Sequence, residues 1–170
     1  MKRVDEDEYR AYVMARMDRL QRAAYLLCRD WHTAEDLVSV TFGKLYRNWS
    51  RAQQANSLDA YVQTILMRSW LDEARRPWRR ERVTDNMPDL PAPDRSDVID
   101  RLSLIDVLSE LSPRRRAVVV LRFYFDLSVQ ETAERLGCSP STVMNLSSQT
   151  LEAMRNRAAA INQMTEEISS

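Results

Sequence analysis

The stretch Leu127-Ser-Val-Gln-Glu-Thr-Ala-Glu-Arg-Leu-Gly-Cys-Ser-Pro-Ser-Thr-Val-Met-Asn-Leu-Ser-Ser-Gln-Thr-Leu151 decides the fold. Ser128 followed by Glu131 is a capping box, in which a hydroxyl and a carboxylate each satisfy an otherwise free amide at a helix start. Gly137 can take the left-handed conformation that stops a helix, so a short helix is predicted over Val129–Leu136. Ser139-Pro140 then opens a long helix, with serine as cap and proline in the first turn. Ala133 is small where the two helices must approach closely, and Val143 points back to lock the second on the first. A short helix, a glycine turn and a capped second helix make a helix-turn-helix, whose second helix enters the major groove by its N-terminal residues. On that helix Val143, Ser147, Leu151 and Met154 are expected inside, and Met144, Asn145, Ser148 and Gln149 outside. A plain helical hairpin shares the periodicity; both caps at this spacing favour the DNA-binding reading.

Just upstream, Ser112-Pro113 starts another helix by the same cap-and-proline device, carrying Val118, Leu121, Arg122 and Phe125. Val98, Leu102, Ile105 and Leu108 mark a helix before it. Thr84 to Ser96 breaks the pattern, because Pro88, Pro91 and Pro93 remove amide donors and bias their predecessors away from helix. This segment reads as an extended acidic linker between two helical domains.

Before the linker, Tyr9, Tyr12, Val13, Met17 and Leu20 recur at helical spacing, and a second helix is predicted from Leu20 to Cys28 through Ala23, Ala24 and Leu27. Thr33-Ala-Glu-Asp36 resembles a capping box. The helix it opens places Val38, Phe42, Leu45, Tyr46 and Trp49 on one face, with Leu37 and Val40 displaced from it among Glu35, Asp36 and Lys44. Such a two-sided helix can pack inward and still dock a partner; a plain core helix is the alternative. After a polar loop, Ser50 to Asn56, the residues Leu58, Tyr61, Val62, Ile65 and Ser69 mark a further helix, ended or kinked by Pro77. Arg68, Asp72 and Arg75 share its outer face at i, i+4 and i+7. Arginines hold phosphates and aromatic rings stack on unpaired bases; a salt-bridged outer face over core aromatics is the competing account.

The whole composition agrees. The chain has 170 residues, 44% hydrophobic and 29% charged, which suits one medium or two small globular domains. Only Gly43 and Gly137 are glycines, and no alternating run is long enough for a sheet, so the fold class is all-α. No apolar run approaches the roughly 20 residues that span a bilayer, and the acidic start lacks a signal peptide's apolar core, so a cytoplasmic protein without membrane insertion is expected. Cys28, Cys138 and His32 form no ligand cluster, so no metal or cofactor is expected. No acid–base pair or phosphate-cradling loop appears, so no catalytic residue is assigned and the chain is not read as an enzyme. The formal net charge of zero hides a basic block from Arg68 to Arg82 and an acidic one from Asp85 to Glu110. A neutral total therefore does not exclude nucleic acid.

With these residues in hand, the chain resembles the extracytoplasmic-function sigma factors of the sigma-70 family. Ala34-Glu-Asp-Leu-Val-Ser-Val-Thr-Phe-Gly-Lys-Leu-Tyr-Arg-Asn-Trp49 is similar to their region 2, and Leu58 to Arg76 to its promoter-melting helix. Leu108 to Tyr124 and Leu127 to Val143 are similar to region 4. Ala24-Tyr-Leu-Leu-Cys-Arg-Asp-Trp-His32 resembles the SigE-type subgroup of actinobacteria. The implied organisation is a region 2 domain over 5–80, a linker over 81–96, a region 4 domain over 97–160 and a tail over 161–170. The resemblance implies a protein that binds core RNA polymerase and directs initiation at particular promoters. Asp36, Leu37, Val38, Phe42 and Leu45 would dock on the clamp helices of the beta-prime subunit. Trp49, Asn56, Tyr61, Arg68, Ser69, Asp72, Arg75 and Arg76 would hold the opened minus-10 element. Arg115, Ser139, Ser141, Thr142, Met144, Asn145, Ser148 and Gln149 would read the minus-35 element, and this domain would meet the beta flap. The linker would run towards the RNA exit path, and an anti-sigma factor is a further implied partner. One departure stands out: Met144 and Gln149 occupy positions where the family carries bases, and no Lys or Arg lies between Arg135 and Arg155. Two other classes stay open: a conventional helix-turn-helix regulator that binds duplex DNA without polymerase, and a polymerase-binding protein that has lost minus-35 readout.

Overall fold

The computed structural model describes residues 3–76 and 105–169, and these are helical throughout apart from short turns. The predicted linker, Pro77, Val98 and Leu102 lie outside the described residues. The chain forms two compact units, Met1–Leu90 and Pro91–Ser170.

In the first unit, α1 spans Arg3–Cys28, α2 Trp31–Arg47, α3 Trp49–Gln53 and α4 Leu58–Ala74. The two helices expected before Cys28 are one. Tyr9, Tyr12, Met17, Leu20, Ala23, Ala24 and Leu27 hold a helical repeat with no glycine or proline to break it. The chain turns at Arg29, held in the left-handed region at φ 60°, a conformation that costs about 1–2 kcal/mol for a residue with a β-carbon. The rings of Tyr25 and Trp31 stack across this turn at 4.3 Å between centroids.

The start of α2 corrects the expected capping box at Thr33. Asp30 is the cap, its carboxylate accepting hydrogen bonds from the Thr33 amide at 3.2 Å and the Thr33 hydroxyl at 2.6 Å. Thr33 is thus a donor inside the helix, because an anionic acceptor three residues earlier competes better for that amide. The Thr33 hydroxyl bond, first among several causes, holds the Asp30 carboxyl below its ordinary pKa. The expected loop after Trp49 begins as the short helix α3, anchored by the buried side chains of Trp49 and Ala52. Ser57 caps α4 by accepting from the Ala60 amide at 3.1 Å.

α2 packs against both α1 and α4. That is why its buried face is wide, taking in Ala34, Leu37, Val38, Thr41, Phe42 and Leu45. Leu20, Leu27, Val62, Leu66, Met67 and Trp70 complete this core. A polar clamp joins α1 to α4: Arg16 grips the Asp59 carboxylate through Nε at 2.9 Å and Nη2 at 3.2 Å, and the Tyr12 hydroxyl donates to it at 2.7 Å. The Arg16 hydrogen bonds, before any other cause, lower the Asp59 pKa. A depressed carboxylate pKa gives stability that is complete above the unfolded value, about 4, and fades as pH falls through the folded one. The gap in melting temperature between wild type and Asp59→Asn should therefore be widest at neutral pH and close once acid protonates the folded carboxylate. Thermal melts of both proteins at neutral and acid pH check this, and a gap that persists unchanged in acid would contradict it.

In the second unit, α5 covers residues 105–110 and α6 Pro113–Val119, continued by one π-helical turn at Val120–Tyr124. Ser112 caps α6 with Pro113 in its first turn. The π turn closes with the Phe125 amide on the Val120 carbonyl at 3.0 Å. Then come α7, Val129–Leu136, and α8, Pro140–Ser169. The Ser128 capping box is formed on both sides: Glu131 N donates to Ser128 Oγ at 3.1 Å, and Ser128 N to Glu131 Oε2 at 2.8 Å. Gly137 sits at φ 65°, ψ 37°, the left-handed C-cap. Val118, Ala133 and Val143 form the buried centre where α6, α7 and α8 meet. α8 runs unbroken through the segment expected to be a tail, since nothing between Ile161 and Ser169 interrupts a helix.

Candidate nucleic-acid interface

The helix-turn-helix presents one side of α8 outward. Ser139 caps it, accepting from the Thr142 amide at 3.2 Å and sharing a 2.9 Å bond with the Thr142 hydroxyl. Those two side chains are therefore tied to each other. Ser141, Met144, Asn145, Ser148 and Gln149 are exposed beyond them, while Val143, Ser147 and Thr150 are buried. Leu151, expected inside, is 38% exposed, and Thr150 takes its place. The inner line runs 143, 147, 150, 154, which follows the 3.6-residue repeat better than a line through 151.

Arg115 reaches across from α6 and donates to Gln149 Oε1. Two further arginines, Arg116 of α6 and Arg122 of the π turn, serve the fold. Arg116 donates to the Leu111 carbonyl at 3.0 Å, and Arg122 to the Leu127 carbonyl at 2.8 Å. Arg114 remains exposed. The outward face of the helix start is thus polar and uncharged.

In the first unit, Asn56, Arg68, Asp72, Arg75 and Arg76 are exposed and Tyr61 is half-buried. Arg76 lies 3.9 Å from Glu73. Among the described residues no ion pair engages Arg68, Asp72 or Arg75. The one ion pair on this part of α4 among the described residues is Arg76 with Glu73. Two residues expected to touch DNA do not reach the surface. Trp49 is 2% exposed, its ring edge-on to Tyr9 at 5.4 Å, because α3 folds it under α1. Ser69 is buried and accepts from Lys44 Nζ at 2.9 Å, joining α2 to α4.

A similar correction applies to α2. Leu37, Val38, Phe42 and Leu45, expected at a partner surface, are all buried by α1 and α4. Leu37 was expected off the apolar stripe; with two helices packed on α2, the stripe widens to include it. What α2 does present outward is Glu35, Asp36, Ser39 and Val40, the last 47% exposed. Ser39 and Gly43 lie three and seven residues after Asp36, on the same side of the helix.

The class of protein these two helical units define, the second built around a helix-turn-helix, is given by their relatives. Residues 12–80 match Sigma-70 region 2, and residues 101–154 match Sigma-70, region 4. The chain is 32% identical over 154 residues to the RNA polymerase sigma-E factor of Streptomyces coelicolor, covering 90% of this chain and 87% of that one. It is 31% identical over 145 residues to the ECF RNA polymerase sigma factor SigL of Mycobacterium tuberculosis, with 80% of each chain covered. Its fold is similar to that of the sigma factor RpoE in its complex with the anti-sigma factor NepR from Bartonella quintana. There the TM-score is 0.73 at 20% identity, over 89% of this chain and 97% of that one. The chain belongs to the sigma-70 family of RNA polymerase sigma factors, and it is of the extracytoplasmic-function type. No helix among the described residues is long and apolar enough to cross a membrane.

Proposed function

We propose that this sigma factor docks on core RNA polymerase through the outer face of α2, opens the minus-10 element on the outer face of α4, and reads the minus-35 element with the start of α8. The observation that carries the reading is the exposed trio Arg68, Asp72 and Arg75, unpaired among the described residues. The two arginines of the trio, which enter no ion pair among the described residues, are available to a polyanion. The protein carries out no reaction of its own and works in the cytoplasm, where polymerase and promoter are. The solved relative in complex with an anti-sigma factor supports regulation by such a partner.

On this reading Arg68→Ala should lower open-complex formation about tenfold or more, since a hydrogen bond to a charged group is worth about 1.5–3 kcal/mol. An exposed, unpaired arginine should leave thermal stability within about 0.5 kcal/mol. Permanganate reactivity of promoter thymines checks the first and a thermal melt the second. Unchanged reactivity would remove α4 from the melting step. Asp36→Ala and Val40→Arg should each weaken binding to core polymerase without unfolding the chain, as measured by competition for core. Wild-type affinity in both variants would move the docking face elsewhere.

A further inference from the structure

Gly43 stands well inside α2, Trp31–Arg47. Glycine is unfavourable there because it gives up the most backbone freedom on forming helix. A helical glycine usually answers to a neighbour that packs against its bare Cα. Among the described residues none does: a β-carbon at Gly43 would meet no atom of them within 4 Å, and its φ is not in the left-handed region. The described part of the fold does not ask for a glycine at this position.

The surroundings point to a partner. Gly43 lies one turn from Val40, which is 47% exposed, and two turns from Asp36. It is also one turn from Tyr46, 43% exposed. Val40 and Tyr46 flank Gly43 along one side of α2, with the Tyr46 ring edge-on to Tyr9 of α1 at 5.2 Å and its outer part open. The exposed surface of α2 is acidic at one end, with Glu35 and Asp36, and basic at the other, with Arg47. Helices pack with axes about 8–10 Å apart, nearest when the contact residue is small. We infer that Gly43 is the close-approach point for a helix of core RNA polymerase, which seats its side chains between Val40 and Tyr46 and sets opposite charges against the two ends of that surface. The inference rests on the docking reading above and adds the residue that fixes the distance.

The test uses Gly43→Ala and Gly43→Leu in the full chain, with Asp36→Ala and Val40→Arg beside them. Each is measured for melting temperature and for affinity to core polymerase. Gly43→Ala should raise the melting temperature, by about 4 °C, while weakening polymerase binding about tenfold. Gly43→Leu should weaken binding about a hundredfold with the fold still intact. Stability and binding moving in opposite directions is the expected signature. If Asp36→Ala and Val40→Arg weaken binding but Gly43→Leu does not, the docking face stands and the close approach at Gly43 is overturned. If none of the four weakens binding, the docking reading itself fails. A fall in melting temperature for Gly43→Ala would show that the glycine serves the fold and would also overturn the inference.

Discussion

Leu37→Ala should destabilise the first unit by about 3 kcal/mol, as expected for a buried leucine cut back to alanine. Leu37 is 6% exposed on α2, a helix that packs against both α1 and α4, so little surrounding chain is free to close the space left behind. In a domain of this size the loss corresponds to roughly 12–24 °C in melting temperature. Asp36→Ala, one residue away but exposed, should melt within about 0.5 kcal/mol of wild type. The pair separates two roles that neighbouring residues could easily be assigned in common. Leu37 holds the helix in place, and on the proposed reading Asp36 meets the partner. Calorimetry on the two variants reads the difference. A Leu37→Ala protein that melts like wild type yet loses polymerase would show that Leu37 is a contact residue and that the packing of α2 described above is wrong.

The second large effect concerns duplex DNA. Phosphate contacts by Lys and Arg supply most of the sequence-independent affinity and make it salt-dependent, whereas base contacts supply the choice of sequence. On the outward side of α8, Met144, Asn145, Ser148 and Gln149 carry no charge, and Arg115 is engaged with Gln149. Arg116 and Arg122 are engaged with backbone carbonyls. Region 4 should therefore hold duplex DNA weakly, with a preference for A·T-rich sequence, since Asn pairs with adenine and Met touches a thymine methyl. Gln149 is a poor place to add charge because Arg115 already points at it. Met144→Lys combined with Ser148→Lys adds two cations on exposed positions of that face. The double variant should bind minus-35 duplexes more tightly, and its log–log salt dependence should steepen by roughly 1.8, two phosphates at about 0.9 each. Titrations over a range of salt measure both. A wild-type Kd of about 10⁻⁸ M or tighter at physiological salt would show that the neutral helix is a competent reader on its own.

Much of this architecture is legible in the sequence because local chemistry writes it there. Ser128 with Glu131, Gly137 and Ser139-Pro140 fix the helix-turn-helix within one residue at each end, and every one of those signals acts over three or four residues. Ser112-Pro113 works in the same way. The errors lie where a tertiary neighbour decides. Leu37 looks displaced from the stripe of α2 until α1 and α4 both pack on that helix. Trp49 and Ser69 look like surface groups until α3 folds under α1 and Lys44 reaches Ser69 across two helices. The Arg16–Asp59 clamp joins residues 43 apart in the chain and has no local signature at all. The same division holds for the interface. The exposed faces of α4 and α8 follow from helical spacing, whereas the availability of each arginine depends on which carbonyl or amide lies within its reach.

Reconstituted transcription shows whether this chain directs polymerase to promoters. Core RNA polymerase is incubated with the purified full chain and a library of genomic fragments, and the 5′ ends of the transcripts are mapped. Discrete start sites that share spaced upstream elements are expected, absent with core alone and strongly reduced with Arg68→Ala. Transcripts that start at the same places with and without the protein, while the protein alone binds duplex DNA, would instead identify a regulator that acts without entering the polymerase.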